Sequence, residues 1–278
     1  MKKFSRAYVE ITNVCNKNCS FCPGTKRKAK MMSTAEFLEI AKKLRPVTDY
    51  LYFHVMGEPL LHPDISEIIG IGSSLGFKCA ITTNGTLLKK TCEVLEKSGL
   101  YKISISLHSM ESESEAEYLE YINECIEAAD RLSRAGILTV LRLWNKGYDG
   151  GRNRDIVRLL HERFEGCEWK ESERGARIRD KLHLEYGDRF VWPDKEAPEI
   201  DDHVFCYGMI DHFGVLVDGT VIPCCLDREG AIALGNIHES DIESILTSER
   251  ATAIAEGFRK RCASEALCRG CGYARRFS

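Results

Sequence analysis

Cys15-Asn16-Lys17-Asn18-Cys19-Ser20-Phe21-Cys22 decides the fold, because it sets three cysteines at C-x3-C-x2-C spacing on a loop directly after a predicted strand at residues 8–12. Three thiolates this close in sequence can hold one metal site. A structural zinc site usually takes four ligands, whereas a [4Fe–4S] cluster held by three cysteines keeps one iron open for an external ligand. We therefore predict that Cys15, Cys19 and Cys22 bind an iron–sulfur cluster, with structural zinc as the alternative.

Strand and helix signals alternate on the carboxyl side of this stretch. Ser33, with Glu36 three residues on, predicts a capping box at the start of the first helix. Further strands are predicted at residues 51–55, 78–83, 103–107 and 138–143, with a sixth between 168 and 191. Five or six β/α units predict an α/β fold with parallel strands, as an open sheet or a curved barrel. In either case the chemistry is expected at the carboxyl ends of the strands.

Composition and charge restrict the partners. The 278 residues carry a formal net charge of −3 and a pI near 6.3, which gives no electrostatic basis for binding nucleic acid or an acidic membrane. No signal peptide is recognised, and no stretch reaches the ~18–20 apolar residues of a membrane-spanning helix. Thirteen cysteines with no route to an oxidising compartment are expected to stay reduced, so we expect a cytoplasmic protein whose clustered thiols bind metal.

A second motif lies one β/α unit later, at the end of the second predicted strand. Residues 54–60 are His-Val-Met-Gly-Glu-Pro-Leu. With the C-x3-C-x2-C spacing, this segment resembles the G-G-E-P motif of the radical S-adenosylmethionine (SAM) superfamily, and the resemblance covers essentially the whole chain. It implies a partial (β/α)6 barrel whose open iron binds SAM. It also implies reductive cleavage of SAM to a 5′-deoxyadenosyl radical that takes a hydrogen from substrate, with an electron donor such as flavodoxin or ferredoxin.

The resemblance assigns the SAM amino group to this motif. Gly57 and Glu58 match the second glycine and the glutamate of the family's G-G-E-P motif. A carboxylate suits an ammonium group. Met56 stands where the family usually has a glycine, which lets the backbone come close to a ligand. We therefore expect an altered contact at Met56, while the alternative for Glu58 is a solvated acid on a loop.

Three more residues are assigned to SAM by the resemblance. Phe21 is expected near the adenine, mainly through its backbone. Ser106, at the end of the fourth strand, matches the position that binds the ribose, and its alternative is a turn or cap serine. Arg142, near the end of the fifth strand, could clamp the SAM carboxylate with two hydrogen bonds, and its alternative is a surface salt bridge.

A second group of cysteines near the carboxyl terminus predicts another site. Its members are Cys206, Cys224, Cys268 and Cys271. Four thiolates can enclose one cluster or one zinc ion. Behind a radical SAM core, the arrangement resembles the auxiliary-cluster domains called SPASM and Twitch, and its spacing is similar to that of the 2-deoxy-scyllo-inosamine dehydrogenases. The resemblance implies a second [4Fe–4S] cluster, and either Cys225 or Cys262 could replace one of the four ligands.

The domain boundary is predicted beside a segment rich in proline and charge. Residues 192–199 are interpreted as a linker, which divides a radical SAM core at 1–195 from a SPASM/Twitch domain at 196–278. The second domain is predicted to be a β-hairpin followed by short helices. Asp218-Gly219 predicts a type I′ turn for that hairpin.

The second cluster bears on the reaction. An electron acceptor matters most when the product is two electrons more oxidised than the substrate. We therefore predict oxidation or dehydrogenation of a small molecule or peptide, with His108, Tyr8 or Glu10 as the candidate base. One alternative is crosslinking or epimerisation of a peptide. An alternative of another class is a non-catalytic iron–sulfur or zinc protein that binds a partner, although such a scaffold needs no SAM pocket.

Overall fold

The computed structural model describes residues 3–110, 114–196 and 203–277. The strands are β1 (Arg6–Val9), β2 (Tyr50–Phe53), β3 (Lys78–Thr83), β4 (Lys102–Ser106), β5 (Leu138–Lys146), β6 (Lys170–Ser172), β7 (Gly175–Arg179), β8 (Leu182–Asp188), β9 (His212–Val215), β10 (Thr220–Ile222) and β11 (Gly235–Asn236). The helices are α1 (Thr34–Leu44), α2 (Ile65–Ser74), α3 (Leu88–Lys97), α4 (Glu115–Arg134), α5 (Arg152–Arg163), α6 (Ile242–Leu246), α7 (Glu249–Arg259) and α8 (Ala266–Arg269). Within these residues, every helix is too short or too polar to cross a bilayer.

One continuous sheet organises the chain, in the order β11-β10-β9-β1-β2-β3-β4-β5-β8-β7-β6. The strands from β1 to β5 pair in parallel with their sequence neighbours, and β8 pairs in parallel with β5. Helices α1 to α4 connect β1 to β5, as right-handed β/α crossovers require a helix between parallel strands. The predicted α/β fold with six parallel strands is therefore confirmed.

Two short antiparallel strands that the sequence analysis does not predict precede the sixth parallel strand. β8 falls inside the predicted window of residues 168–191, but β6 and β7 precede it and pair antiparallel beside it. Gly175 begins β7 with φ of +142°, and a Cβ there would lie 2.0 Å from the carbonyl oxygen of Leu184. A glycine is therefore required where the hairpin packs against β8.

The carboxyl-terminal hairpin continues the core sheet. β9 runs parallel to β1, with Tyr8 opposite Gly214, and β10 then returns antiparallel to β9. The predicted type I′ turn is wrong, because that turn needs positive φ at both central residues and only Gly219 has it, at +89°. The amide of Gly219 instead donates to the carbonyl of Leu216 at 2.9 Å, which closes a longer loop.

The first helix is fixed by the predicted capping box. The Ser33 hydroxyl accepts from the amide of Glu36, while the Glu36 carboxylate accepts from the amide of Ser33 at 2.8 Å. The helix buries Phe37 against Phe53 of β2, with ring centroids 5.3 Å apart. This packing fixes where the chain re-enters the fold after the first cysteine loop.

Candidate active site

Both cysteine sets line one cavity of about 660 Å³. The first set, Cys15, Cys19 and Cys22, lies on the loop after β1. The second set, Cys206, Cys224, Cys268 and Cys271, lies on the carboxyl-terminal segment that faces this loop. Among the described residues no three cysteine, histidine or acidic side chains already converge on a single metal-ion position. Ligation of iron by these seven thiols therefore remains a prediction.

The first cysteine loop is tied at its base. The Asn13 side chain donates to the carbonyl of Lys28 at 2.9 Å and accepts from the amide of Lys30 at 2.8 Å. Within the loop, the amide of Cys22 donates to the carbonyl of Cys19 at 3.0 Å. The first two bonds join the ends of the loop, and the third forms a turn between Cys19 and Cys22. All three thiols line the cavity.

Two amide donors reach the first of these thiols, that of Cys15. The amide of Lys17 lies 3.5 Å from Cys15 Sγ, and the Asn84 side chain lies 3.9 Å from it. Hydrogen bonds to cysteine sulfur are one means by which proteins set the reduction potential of iron–sulfur clusters. Three thiols at this spacing, with such donors at Cys15, fit a cluster with one open iron.

The segment after β2 is packed against this loop. Gly57 has φ of +78°, and a Cβ there would lie 2.5 Å from the carbonyl oxygen of Thr12. The next amide, that of Glu58, donates to the carbonyl of Val14 at 2.8 Å. The glycine is thus required by contact between two loops of the protein. This contact accounts for Gly57. The close approach of backbone to ligand, which the family's glycine at the position of Met56 usually allows, is not needed to explain it.

Glu58 is buried and nearly saturated with hydrogen bonds. Its carboxylate accepts from the Thr83 hydroxyl at 2.7 Å, the amide of Asn84 at 2.7 Å and the amide of Leu60 at 3.0 Å. Burial raises the pKa of this carboxyl above its usual value. The alternative of a solvated loop acid is wrong, because Glu58 is 1% exposed. It also lines the cavity, where the assigned contact with an ammonium group stays a proposal.

The other residues assigned to SAM all line the same cavity. They are Phe21, Met56, Ser106 and Arg142. The Phe21 ring packs against His108 at 4.9 Å between centroids, and its carbonyl accepts from the Trp192 indole at 3.1 Å. Trp192, the first residue of the predicted linker, is thus hydrogen bonded to the first cysteine loop. Residues 197–199 of that predicted linker lie outside the described ranges.

Arg142 lies inside the cavity, so its alternative as a surface salt bridge is wrong. Its guanidinium stacks on the Trp144 ring at 3.6 Å from the centroid. Burial lowers the pKa of this guanidinium, and its Nε is buried with no hydrogen-bond partner in the described part of the chain. A buried, unpaired donor of this kind favours an anionic ligand.

The three candidate bases have different surroundings. Glu10 is wrong as a base, because it is fully buried away from the cavity and both its oxygens accept from Arg27, at 2.7 and 2.6 Å. Burial raises the pKa of Tyr8 well above its usual value, so the phenol stays protonated at neutral pH. Burial lowers the pKa of His108 to about 4, so its imidazole is neutral at neutral pH and is a weak base.

The thiols of the second cysteine set lie near enough to Cys224 to interact with its charge. Burial raises the pKa of the Cys224 thiol well above its ordinary value, and the nearby sulfurs of Cys225, Cys206, Cys268 and Cys271 raise it further. Thiols this close are costly as thiolates unless a metal charge compensates them, which fits a bound cluster. Cys225 hydrogen bonds with the Tyr8 hydroxyl.

Cys262 lies elsewhere. It is exposed and is absent from the cavity wall. The exposed position of Cys262, away from the cavity, therefore favours Cys206, Cys224, Cys268 and Cys271 as the ligands of the auxiliary cluster. Cys225 stays the one possible substitute among them.

Sequence reasoning missed a set of polar residues deeper in the cavity. They are Tyr52, His54, Thr82, Lys102, Ser104 and Glu185. Most of them alternate with buried apolar residues along β2, β3, β4 and β8. In parallel strands covered by helices, near-continuous apolar runs are expected. Polar residues at every second position were therefore the available signal for a face that lines a cavity.

Two family models match the parts of the chain that contain the two cysteine sets. Residues 9–164 match the Radical SAM superfamily, and residues 206–272 match SPASM, an iron–sulfur cluster-binding domain. GTP 3′,8-cyclase of Aquifex aeolicus (strain VF5) is 30% identical over 164 residues, 55% of this chain and 51% of that protein. The chain thus matches about half the length of this relative.

Two further proteins are similar over most of the chain. A protein of Methanocella arvoryzae named "Probable GTP 3′,8-cyclase" is 31% identical over 284 residues, 88% of this chain and 89% of that protein. The crystal structure of BtrN in complex with AdoMet and 2-DOIA has a TM-score of 0.62 and 20% identity, over 98% of this chain and 94% of that chain. At this identity the likeness concerns the fold.

Proposed function

The chain belongs to the radical SAM superfamily, and from that premise we propose that it oxidises a polar substrate held between its two cysteine sets. The observation that carries the proposal is that both sets line one cavity of about 660 Å³. A substrate in that cavity lies within reach of both. As a superfamily enzyme the chain is catalytic, so the non-catalytic alternative is wrong.

The side chains around the cavity divide into three roles. Cys15, Cys19 and Cys22 would hold the SAM-binding cluster, and the second cysteine set would hold the auxiliary cluster. When bound, SAM and the reduced first cluster would supply a 5′-deoxyadenosyl radical that takes a hydrogen atom, and the auxiliary cluster would accept the electron left on the substrate. The protein itself binds, orients and shields. The Trp192 indole holds the backbone of Phe21 at the cavity wall through its hydrogen bond to the Phe21 carbonyl.

A base is needed to take the proton from an oxidised carbon. His108 remains from the predicted candidates, and Glu185 joins it as a cavity carboxylate. One hydrogen bond to Glu185 is found among the described residues, from the Trp144 indole at 3.2 Å. We expect Glu185→Gln to lower the kcat for product more than it raises the KM for substrate. An unchanged kcat would leave the proton transfer to His108.

The first test is reconstitution under anaerobic conditions with iron and sulfide, followed by SAM and dithionite. Two [4Fe–4S] clusters predict about eight irons per chain, and cleavage predicts methionine and 5′-deoxyadenosine. The triple variant with Cys15, Cys19 and Cys22 changed to alanine should keep about four irons and lose cleavage. Two clusters with no cleavage of SAM would overturn the proposal.

A second test separates oxidation from cyclisation. GTP enters as a candidate substrate because 31% identity extends over 88% of the chain to a protein whose name gives that activity. We expect GTP to leave the rate of 5′-deoxyadenosine formation unchanged. One equivalent of 5′-deoxyadenosine per GTP consumed, with a product of unchanged oxidation state, would make this enzyme a cyclase. A crosslinked or epimerised peptide product would likewise contradict oxidation.

A further inference from the structure

The deep part of the cavity contains an ammonium group that has no hydrogen-bond partner among the described residues. Lys102 is the first residue of β4 and lines the cavity together with Ser104 and Ser106 of the same strand. Among the described residues, only longer-range charge interactions act on its Nζ, from Glu185, Arg142 and Arg6. Burial lowers the pKa of this amine, which is the cost of holding an unpaired charge away from water.

The acids near Lys102 are already engaged. Glu185 interacts with the charges of both Lys102 and Arg142, so one carboxylate serves two cations. Asp211 accepts from Arg6 at 3.0 Å, and that pair is neutral as a unit. Lys102, Arg142 and Glu185 together therefore carry one positive charge more than the carboxylate balances.

A neutral imidazole faces the same region. His54 follows β2, lines the cavity, and its Nδ1 is buried with no hydrogen-bond partner in the described part of the chain. Burial and then the charges of Arg142, Lys102 and Arg6 lower its pKa to about 3. An ammonium group and a neutral imidazole, neither with a hydrogen-bond partner among the described residues, thus line the same cavity.

This place is distinct from the region assigned to SAM. Lys102 and Ser106 are the two ends of β4, and four residues of strand span ~13 Å. The cysteine loop, Glu58 and Ser106 all lie at the carboxyl ends of the strands. The deep end is therefore available to the substrate when SAM occupies the upper part.

We propose that Lys102, with His54 lining the same cavity, binds an anionic oxygen group of the substrate, a carboxylate or a phosphate, at the deep end of the cavity. The inference rests on the proposed function, since it names the substrate class for that cavity. The anionic group is held deepest and the rest of the substrate extends toward the two cysteine sets. A substrate whose deepest group is an amine is excluded by the same charge.

The test uses the reconstituted protein with SAM bound and no reductant, so that no turnover occurs. Inorganic phosphate, acetate and methylammonium are titrated separately and followed by NMR line width, of 31P for phosphate and of the methyl protons for the other two. We expect one saturable site for phosphate or acetate. The tighter of the two identifies the substrate group, and methylammonium should not bind.

Variants at two lysines make the result specific. Lys102→Met should weaken the anion at least ~10-fold, whereas Lys102→Arg, which keeps the charge, should stay within ~3-fold. Lys78 begins the neighbouring strand β3 but is exposed and lies over Tyr50, outside the cavity, so Lys78→Met should bind as the unchanged protein does. Equal anion affinity in Lys102→Met and Lys78→Met, or binding of methylammonium at this site, would overturn the proposal.

This readout is independent of catalysis. If the unchanged protein cleaves SAM but binds neither anion, the substrate class is wrong and the proposed function stands. If it binds an anion through Lys102 but cannot cleave SAM, the proposed function fails and the anion site stands.

Discussion

The carboxylate of Glu10 accepts two hydrogen bonds from the guanidinium of Arg27, at 2.7 and 2.6 Å, while fully buried. Glu10 directly follows β1, and Arg27 lies in the loop that contains the first cysteines. The same carboxylate accepts from the amide of Met56 at 3.2 Å and from that of Val217 at 3.1 Å. One side chain thus joins the first strand, the cysteine loop, the segment after β2 and the carboxyl-terminal hairpin.

Arg27→Ala should therefore destabilise the whole site. The substitution leaves Glu10 as a buried charge without its counter-ion, which typically costs about 3–5 kcal/mol of unfolding free energy. Adding Glu10→Gln to that variant should recover part of the loss, because the unpaired charge is removed. Urea unfolding under anaerobic conditions measures both. An Arg27→Ala variant within about 1 kcal/mol of the unchanged protein would contradict this role.

A pair of glycines tests the contact between the two loops at the active site. Gly57 and Gly24 both have positive φ, at +78° and +63°, but a Cβ at Gly24 meets nothing within 4 Å. Gly24→Ala should cost only about 1 kcal/mol of backbone strain. Gly57→Ala adds a collision with the Thr12 carbonyl, so it should displace the cysteine loop. We expect it to lose SAM cleavage and part of its iron, with Gly24→Ala close to normal in both.

Local sequence patterns predict the repeating β/α units, but they do not predict the pairing of strands that are distant in sequence. The capping box at Ser33 depends on residues a few positions apart, and the structure has it. The pairing of β9 with β1 joins residues about two hundred positions apart, and no local signal encodes it. Glu10 is predicted as a base because it is an acid on the first predicted strand. Its partner Arg27 came from a loop whose path the sequence does not specify.

The auxiliary site can be mapped by single serine substitutions. Cys224 is buried among the other thiols of its set, whereas Cys262 is exposed and outside the cavity. Cys224→Ser should lose about four irons per chain, the content of one cluster, and Cys262→Ser should lose none. Iron and sulfide analysis of the two variants decides it. Iron loss in Cys262→Ser would mean that the segment after α7 rearranges to bring that thiol to the cluster.

Buried histidine predicts how stability depends on pH. Burial lowers the pKa of His54 to about 3, so the folded protein does not take up this proton in mild acid. The unfolded chain does so below pH ~6.5, and stability from this group is present above that pH and lost progressively as pH falls toward the folded pKa. From pH 7.5 to pH 5.5 the loss attributable to His54 is about 1.4 kcal/mol.

The substitution His54→Phe should remove that part of the pH dependence. Its ring keeps the contacts with Tyr8 and Tyr52, whose centroids lie 5.1 and 5.9 Å away, and Nδ1 has no hydrogen bond to lose among the described residues. Urea unfolding at pH 7.5 and pH 5.5 should therefore show a fall smaller by about 1.4 kcal/mol than in the unchanged protein. His161→Phe is the matched control, because that ring is about half exposed and stacks on Trp169 at the surface. It should leave the fall as it was. An equal fall in His54→Phe and the unchanged protein would mean that His54 takes up its proton in the folded state, and that the cations around it are compensated by a bound anion.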